Sequence, residues 1–184
     1  MRKIILSIIT IAAIASSCSN QPDPFQISKN RVGLLTDTTQ VANLAMAFPN
    51  DTIVKLATTE AYMRAYSDIE IRDKTGNTLL VLSPKQITDS TAVISTVKVM
   101  DSRYKTPEGI SVASTFGEIQ KKYTISSIQN TIKNVVIFVD DIQAFFTIDK
   151  KELPASLQFD SNTQIEAIQI PETAKIKYFM LGWH

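Results

Sequence analysis

This chain of 184 residues has one cysteine, one histidine, one tryptophan and five glycines. Each scarcity excludes something. A lone cysteine cannot form an internal disulfide, so the fold rests on core packing. The only histidine, His184, is the last residue, so a triad or metal site built on it would stand on a chain terminus. Cys18 directly follows the N-terminal apolar stretch and two serines, and no other cysteine remains to supply zinc with its commonest ligand. Glycine is too sparse for a phosphate loop: "GNTLL" and "STFGE" carry one each. Aromatics make up 8% of the chain, enough for a core and little more. We therefore expect no catalytic residue, no cofactor and no bound metal.

The N-terminus is richer in signal. Met1-Arg2-Lys3 is followed by an apolar stretch from Ile4 to Ile14, interrupted only by Ser7 and Thr10, and then by small residues. Positive charge, a short apolar core and a small-residue end are the three regions of a secretory signal peptide. The run is about half the roughly 20 residues a membrane-spanning helix needs. A short buried N-terminal helix is the competing reading, and Arg2-Lys3 speak against it. Ala15-Ser16-Ser17-Cys18 resembles a lipobox, the cleavage site of bacterial lipoproteins, with Ala15 where leucine is commonest. The alternative is an ordinary signal peptide with a free thiol beside it. The resemblance implies cleavage before Cys18 and acyl chains, palmitate among them, on that cysteine. Several chains on one residue anchor firmly where a single chain does not. Cys18 is thus expected to be the lipidation site. Ser19 lacks the aspartate associated with inner-membrane retention, so the resemblance implies the outer membrane, facing the periplasm or the cell surface.

Removing residues 1–17 takes Arg2 and Lys3 from the 19 basic residues, leaving 17 against 18 acidic ones. That balance gives no basic footprint for nucleic acid. The expected partners are the membrane, through Cys18, and an envelope protein. Residues 18–26 form a tether stiffened by Pro22 and Pro24, and structure is expected from Ile27 onward as a domain over 27–184.

Two stretches within that domain look alike at an offset of 78: "VGLLTDTTQVANLAMAF" from Val32 and "ISVASTFGEIQKKYTIS" from Ile110. Val32 and Leu34 match Ile110 and Val112 as a short strand. Asp37 and Gln40 match Thr115 and Glu118 as capping boxes, which satisfy free backbone donors at a helix start. Apolar stripes follow on Val41, Leu44, Ala45 and Phe48, and on Phe116, Ile119 and Tyr123. Helices are expected at about 37–48, stopped by Pro49, and at about 115–123. Later segments read as strands: 52–57, a hairpin through Ile69 and Ile71 turning at Thr75-Gly76-Asn77, a central strand over 79–82, 91–100, a hairpin 135–148 turning at Asp140-Asp141, then 164–170 and 174–182. The pattern predicts an α+β fold of two β-α-β-β-β repeats, halves about 27–100 and 105–184. An antiparallel sheet would carry its helices on one face.

"TPEGISVASTFGEIQKKY" resembles the Gly-Ile-x-Val-(Gly/Ala)-Ser-Thr…Tyr element of small bacterial lipoproteins of unknown function. The strand–helix rhythm is more distantly similar to the tandem units of β-lactamase-inhibitor proteins and of small outer-membrane-assembly lipoproteins. The first copy has Arg31 in place of Gly109, and the second has Thr124 where glycine is frequent.

The remaining candidates are weak. Asp140-Asp141, with Asp149 and Glu152, is the densest acidic spot, but it lacks the spaced oxygens of a calcium loop. Adjacent residues of an extended chain point opposite ways, so a solvated turn is expected there. Lys121-Lys122 and Lys150-Lys151 read as solvated faces. Tyr62, Tyr66, Phe145, Phe146, Phe179 and Trp183 could line a groove, with core packing the stronger expectation. We therefore expect a non-enzymatic binding or scaffold module. The alternative is an envelope hydrolase using Asp140, Asp141 or Glu152, which would need two carboxyl groups tuned apart.

Overall fold

A computed structural model describes residues 23–56, 68–85, 91–159 and 163–183. Cys18, Tyr62, Tyr66 and His184 lie outside them. The chain enters through a small antiparallel sheet of β1 (Ile27–Ser28), β2 (Arg31–Val32) and β3 (Leu35–Thr36). A 3-10 turn at Val41–Asn43 then runs into α1 (Leu44–Ala47). Four strands follow: β4 (Thr52–Lys55), β5 (Ile69–Arg72), β6 (Thr78–Pro84) and β7 (Ile94–Val99). After α2 (Phe116–Lys122) come β8 (Ser127–Asn130), β9 (Asn134–Val139), β10 (Ala144–Asp149), the single turn α3 (Ala155–Gln158) and β11 (Ile176–Gly182).

The long strands form one eight-stranded antiparallel sheet, ordered β4-β5-β6-β7-β11-β10-β9-β8. Sequential neighbours pair on each side, and β7 meets β11 in the middle with Val99 opposite Phe179. Register carries a continuous row across all eight strands: Ile53, Ile71, Leu80, Val99, Phe179, Phe146, Ile137 and Ile128. From Ile71 to Ile137 every member is buried, and the Phe146 and Phe179 rings meet at 4.5 Å. Side chains alternate between faces, so the next row belongs to the other side. It reads Val54, Glu70, Val81, Lys98, Met180, Phe145, Phe138 and Ser127. Its members are half-buried or exposed.

The inner row shares one core with Ile27, Val32 and Leu35 of the small sheet, Leu44 of α1, and Phe116 and Ile119 of α2. The expected helical layer is therefore thin. α1 has four residues and α2 seven, and turns, loops and the small sheet supply the rest of the cover. The architecture is mixed α+β, mostly antiparallel sheet with few helices, and four expectations are corrected.

The expected strand at 110–112 is not formed, and the segment runs into a turn at 112–113. Ser111 Oγ accepts from the Ala113 N–H and Ser114 Oγ from the Ser111 N–H, local bonds that compete with a ladder. The β-α-β-β-β unit is consequently not seen: among the described residues α1 is followed by β4 to β7 and α2 by β8 to β11, with no strand of the main sheet immediately before α1 and none between β7 and α2. The helix at 37–48 begins only at Val41. The Thr36 N–H bonds Thr39 Oγ1, Gln40 takes the cap position without a side-chain bond, and Ala45 points to solvent. The segment 164–170 is not a strand but ends in a 3-10 turn at Ala167–Gln169, closed by its own Glu166/Gln169 capping box. By contrast, the Thr115/Glu118 capping box is present with both bonds made.

The N-terminal arm is fixed to the linker between the two sets of strands. Phe25 lies edge-on to Tyr104 at 5.1 Å, with the Arg103 guanidinium 4.6 Å above it. The Ile27 N–H donates to Lys105 O, and the Lys105 N–H to Phe25 O. Arg103 is held in place by Asp101, whose carboxyl it draws below the usual aspartate range. Gly33 is obligatory here: its φ is +59° and a Cβ would stand 2.2 Å from Pro24 O.

Candidate ligand cavity

The β9–β10 hairpin turns through a 3-10 segment, Asp140–Ile142, and closes on Gln143 with φ +53°. A glutamine rarely adopts this left-handed conformation, and such positions gather at binding sites. Three hydrogen bonds fix the turn: Gln143 N–H to Asp140 O, Gly182 N–H to Gln143 O, and Asp140 N–H to the Ser126 side chain at Oγ. On the neighbouring strand the Trp183 N–H donates to Ser95 O, and Ser95 Oγ donates in turn to Ser83 O.

These strand ends border a half-open hollow of about 620 Å³ at the end of the sheet's outer face. Phe138 and Phe145, stacked with centroids 5.9 Å apart, supply an apolar wall. Gly182 belongs to the floor, where a Cβ would come within 3.4 Å of Phe145 Cε1. The polar lining includes Gln143, Trp183, Ser95 and Thr96, with Asp140 from the turn and Lys29 from the β1–β2 turn. Among the described residues neither Lys29 nor Asp140 makes an ion pair. Trp183 Nε1 and Gln143 Oε1, on two of the residues around the hollow, are shut from solvent and have no hydrogen-bond partner among the described residues. Trp183 is only 4% exposed.

The groove aromatics of the sequence divide. Phe146 and Phe179 are core, whereas Phe145 and Trp183 line the cavity. The acidic candidates divide too. Asp140 is at the cavity and Asp141 on the exposed turn beside it, while Glu152 follows the far end of β10. Six residues at about 3.4 Å each put roughly 20 Å between those ends. Glu152 accepts the Lys175 N–H, and Asp149 binds Lys177 Nζ at 2.9 Å. That bond holds the Asp149 carboxyl below its ordinary range and raises the Lys177 ammonium. No cluster of three metal-ligating side chains occurs among the described residues. Lys150, expected on a solvated face, is buried at 3% exposure. Sequence reasoning missed Gln143, Lys29 and Gly182, whose roles come from a turn conformation and from strand pairing.

A second hollow, of about 170 Å³, lies between the N-terminal arm and the β5–β6 turn, against Phe25, Arg103 and Asp73. Burial pushes the Tyr104 hydroxyl beside it far above the ordinary tyrosine range. No helix among the described residues is long and apolar enough to cross a membrane.

Fold and cavity together define a mixed α+β protein with an open sheet face. No protein-family model matches the chain, and no curated protein matches it. Among solved structures it is similar to the uncharacterized protein yfeY from Escherichia coli, with a TM-score of 0.55 and 15% identity over 85% of this chain and 99% of that one. At that identity the likeness concerns the fold alone.

Proposed function

We propose that the protein is an exported, lipid-anchored binding module of the cell envelope, engaging a protein partner through the outer face of its sheet. The supporting observation is the row Val54 to Ser127. It crosses all eight strands with Val81, Met180, Phe145 and Phe138 half-exposed, while the row beside it is buried from Ile71 to Ile137. A face of that kind suits a protein or peptide partner. The anchor is Cys18, after removal of residues 1–17, and the location is the outer membrane. Cys18→Ala should move the protein from the membrane to the soluble fraction, and unchanged membrane association would refute the anchor. The hydrolase alternative needs paired carboxylates, and Glu152 is a strand-length away from Asp140 and Asp141.

The sheet order also supports descent from a duplicated unit of helix plus four strands, its copies meeting at β7–β11. The constant offset does not extend past the helices: from Ile69 it leads to Thr147 in β10, whereas β5's counterpart by order is β9.

The test is photocrosslinking in intact cells from a reactive residue placed at Met180, Val81 or Lys122. The same protein captured from Met180 and Val81, and not from Lys122 on α2, supports the reading. Equal capture from all three positions, or from Lys122 alone, contradicts it.

A further inference from the structure

The chain enters the domain at one particular end of the eight-stranded sheet. Pro24 and Phe25 border the second hollow together with Asp73 of the β5–β6 turn and with Arg103 and Tyr104, which follow β7. Antiparallel register puts the start of β9, the end of β10 and the start of β11 at that same end. Val99 is opposite Phe179, Ile148 opposite Ile176, and Asp149 opposite Asn134. Asp140 and Asp141 lie past the other end of β9, whose six residues at about 3.4 Å each put roughly 20 Å between the two.

The entry end combines exposed apolar side chains with free cations. Ile132, in the turn between β8 and β9, is 80% exposed, and Phe159, which closes α3 after β10, is 89% exposed. The Lys150 N–H donates to Lys133 O and Asn130 Nδ2 to Thr163 O, bonds that tie the segment carrying Phe159 to the β8–β9 turn. Lys133, Lys151 and Lys175, beside the ends of β9, β10 and β11, are exposed and make no ion pair among the described residues. The acids nearby are engaged, Asp149 by Lys177 and Glu152 by the Lys175 N–H. At the far end the β9–β10 turn is acidic instead.

The tether selects the occupant. Five peptide steps separate Cys18 from Asp23, a span of at most about 18 Å. With acyl chains on Cys18, the entry end stays that close to the bilayer, across a gap too narrow for a folded domain. Isoleucine and phenylalanine beside lysines suit a lipid interface, where apolar groups enter the acyl boundary and ammonium groups meet phosphates.

We propose that this end of the domain rests on the bilayer surface, with Ile132 and Phe159 in the interface and Lys133, Lys151 and Lys175 against lipid phosphates. The proposal rests on the Cys18 anchor and adds an orientation. The strands stand up from the membrane, the Gln143 turn is held away from it, and the outer sheet face stays open to a partner.

Cys18 is the only cysteine, so in the acylated protein a cysteine placed at Ile132 or at Asp141 is the one free thiol. Each variant is purified with its acyl chains, labelled with a nitrobenzoxadiazole fluorophore and reconstituted into vesicles of phosphatidylethanolamine and phosphatidylglycerol carrying a nitroxide-headgroup lipid. Flotation with the vesicles reports the anchor, and quenching reports the orientation. The label at Ile132 should be quenched severalfold more than the label at Asp141. The exposed triple substitution Lys133→Gln, Lys151→Gln, Lys175→Gln should bring quenching at Ile132 down toward the Asp141 value. Equal quenching at the two positions, quenching at neither, or unchanged quenching in the triple variant would overturn the proposal. Emission at Ile132 that rises with protein density but is not quenched would overturn it in favour of a second copy on this end. Any of these results with protein that floats removes the orientation and leaves the anchor standing, whereas protein that fails to float removes both.

Discussion

Two rows of side chains cross the same eight strands one residue apart, and they differ in almost everything. The inner row, Ile53 to Ile128, is apolar at every position, with two phenylalanines at its centre. The outer row alternates valine with glutamate and lysine on its first half, then gives Met180, Phe145 and Phe138 on its second. The backbone and register are shared, so the difference lies in what each face is for. The inner row holds the fold together, and the apolar half of the outer row leads to the cavity at the Gln143 turn.

The sharpest way to test that division is to truncate one aromatic in each row. Phe179→Ala removes a fully buried ring packed on Phe146 and should cost about 3–5 kcal/mol in denaturant unfolding. Gly33→Ala should come next, at about 1–3 kcal/mol, because its Cβ would collide with Pro24 O at a backbone angle alanine disfavours. Phe145→Ala, on the half-exposed row, should cost only about 1 kcal/mol in the same assay. Equal losses for Phe145→Ala and Phe179→Ala would show the outer face to be core.

The sequence showed the alternation of faces at Ile69 to Arg72, and it revealed the Thr115/Glu118 cap because both partners sit within four residues. It placed the β5–β6 turn at Thr75-Gly76-Asn77, where Asp73 Oδ1 accepts from Thr75 and from the Asn77 N–H. It failed where tertiary neighbours decide. Nothing near Val99 specifies Phe179 as its partner, since the pairing joins distant segments. The serines at 111 and 114 had the choice of a ladder or their own turns, and apolar spacing could not say which. The cavity is the extreme case, assembled from the Lys29 turn, the start of β7, the β9–β10 turn and the end of β11.

The smallest expected effect belongs to the Asp73 turn, which lies off both rows. Hydrogen bonds, the Thr75 hydroxyl foremost with Asn77 behind it, depress its carboxyl from 3.8 to about 2. Their contribution to stability is therefore fully present above pH 3.8 and is lost as the pH falls through about 2. Carboxyl chemical shifts should give that midpoint in the wild type and a midpoint nearer 3.8 in the double variant Thr75→Val, Asn77→Ala.

Methionine oxidation compares the faces most directly. Met180 is on the outer row, whereas Met46 on α1 is 74% exposed and lies away from it, which makes Met46 the internal reference. Oxidant is applied to the purified protein and to intact producing cells, and the Met180 to Met46 oxidation ratio is read by mass spectrometry. If a partner covers the outer face, the ratio should fall severalfold in cells relative to the purified protein. An unchanged ratio would mean that the face is bare in the envelope, and would contradict its role as the binding surface.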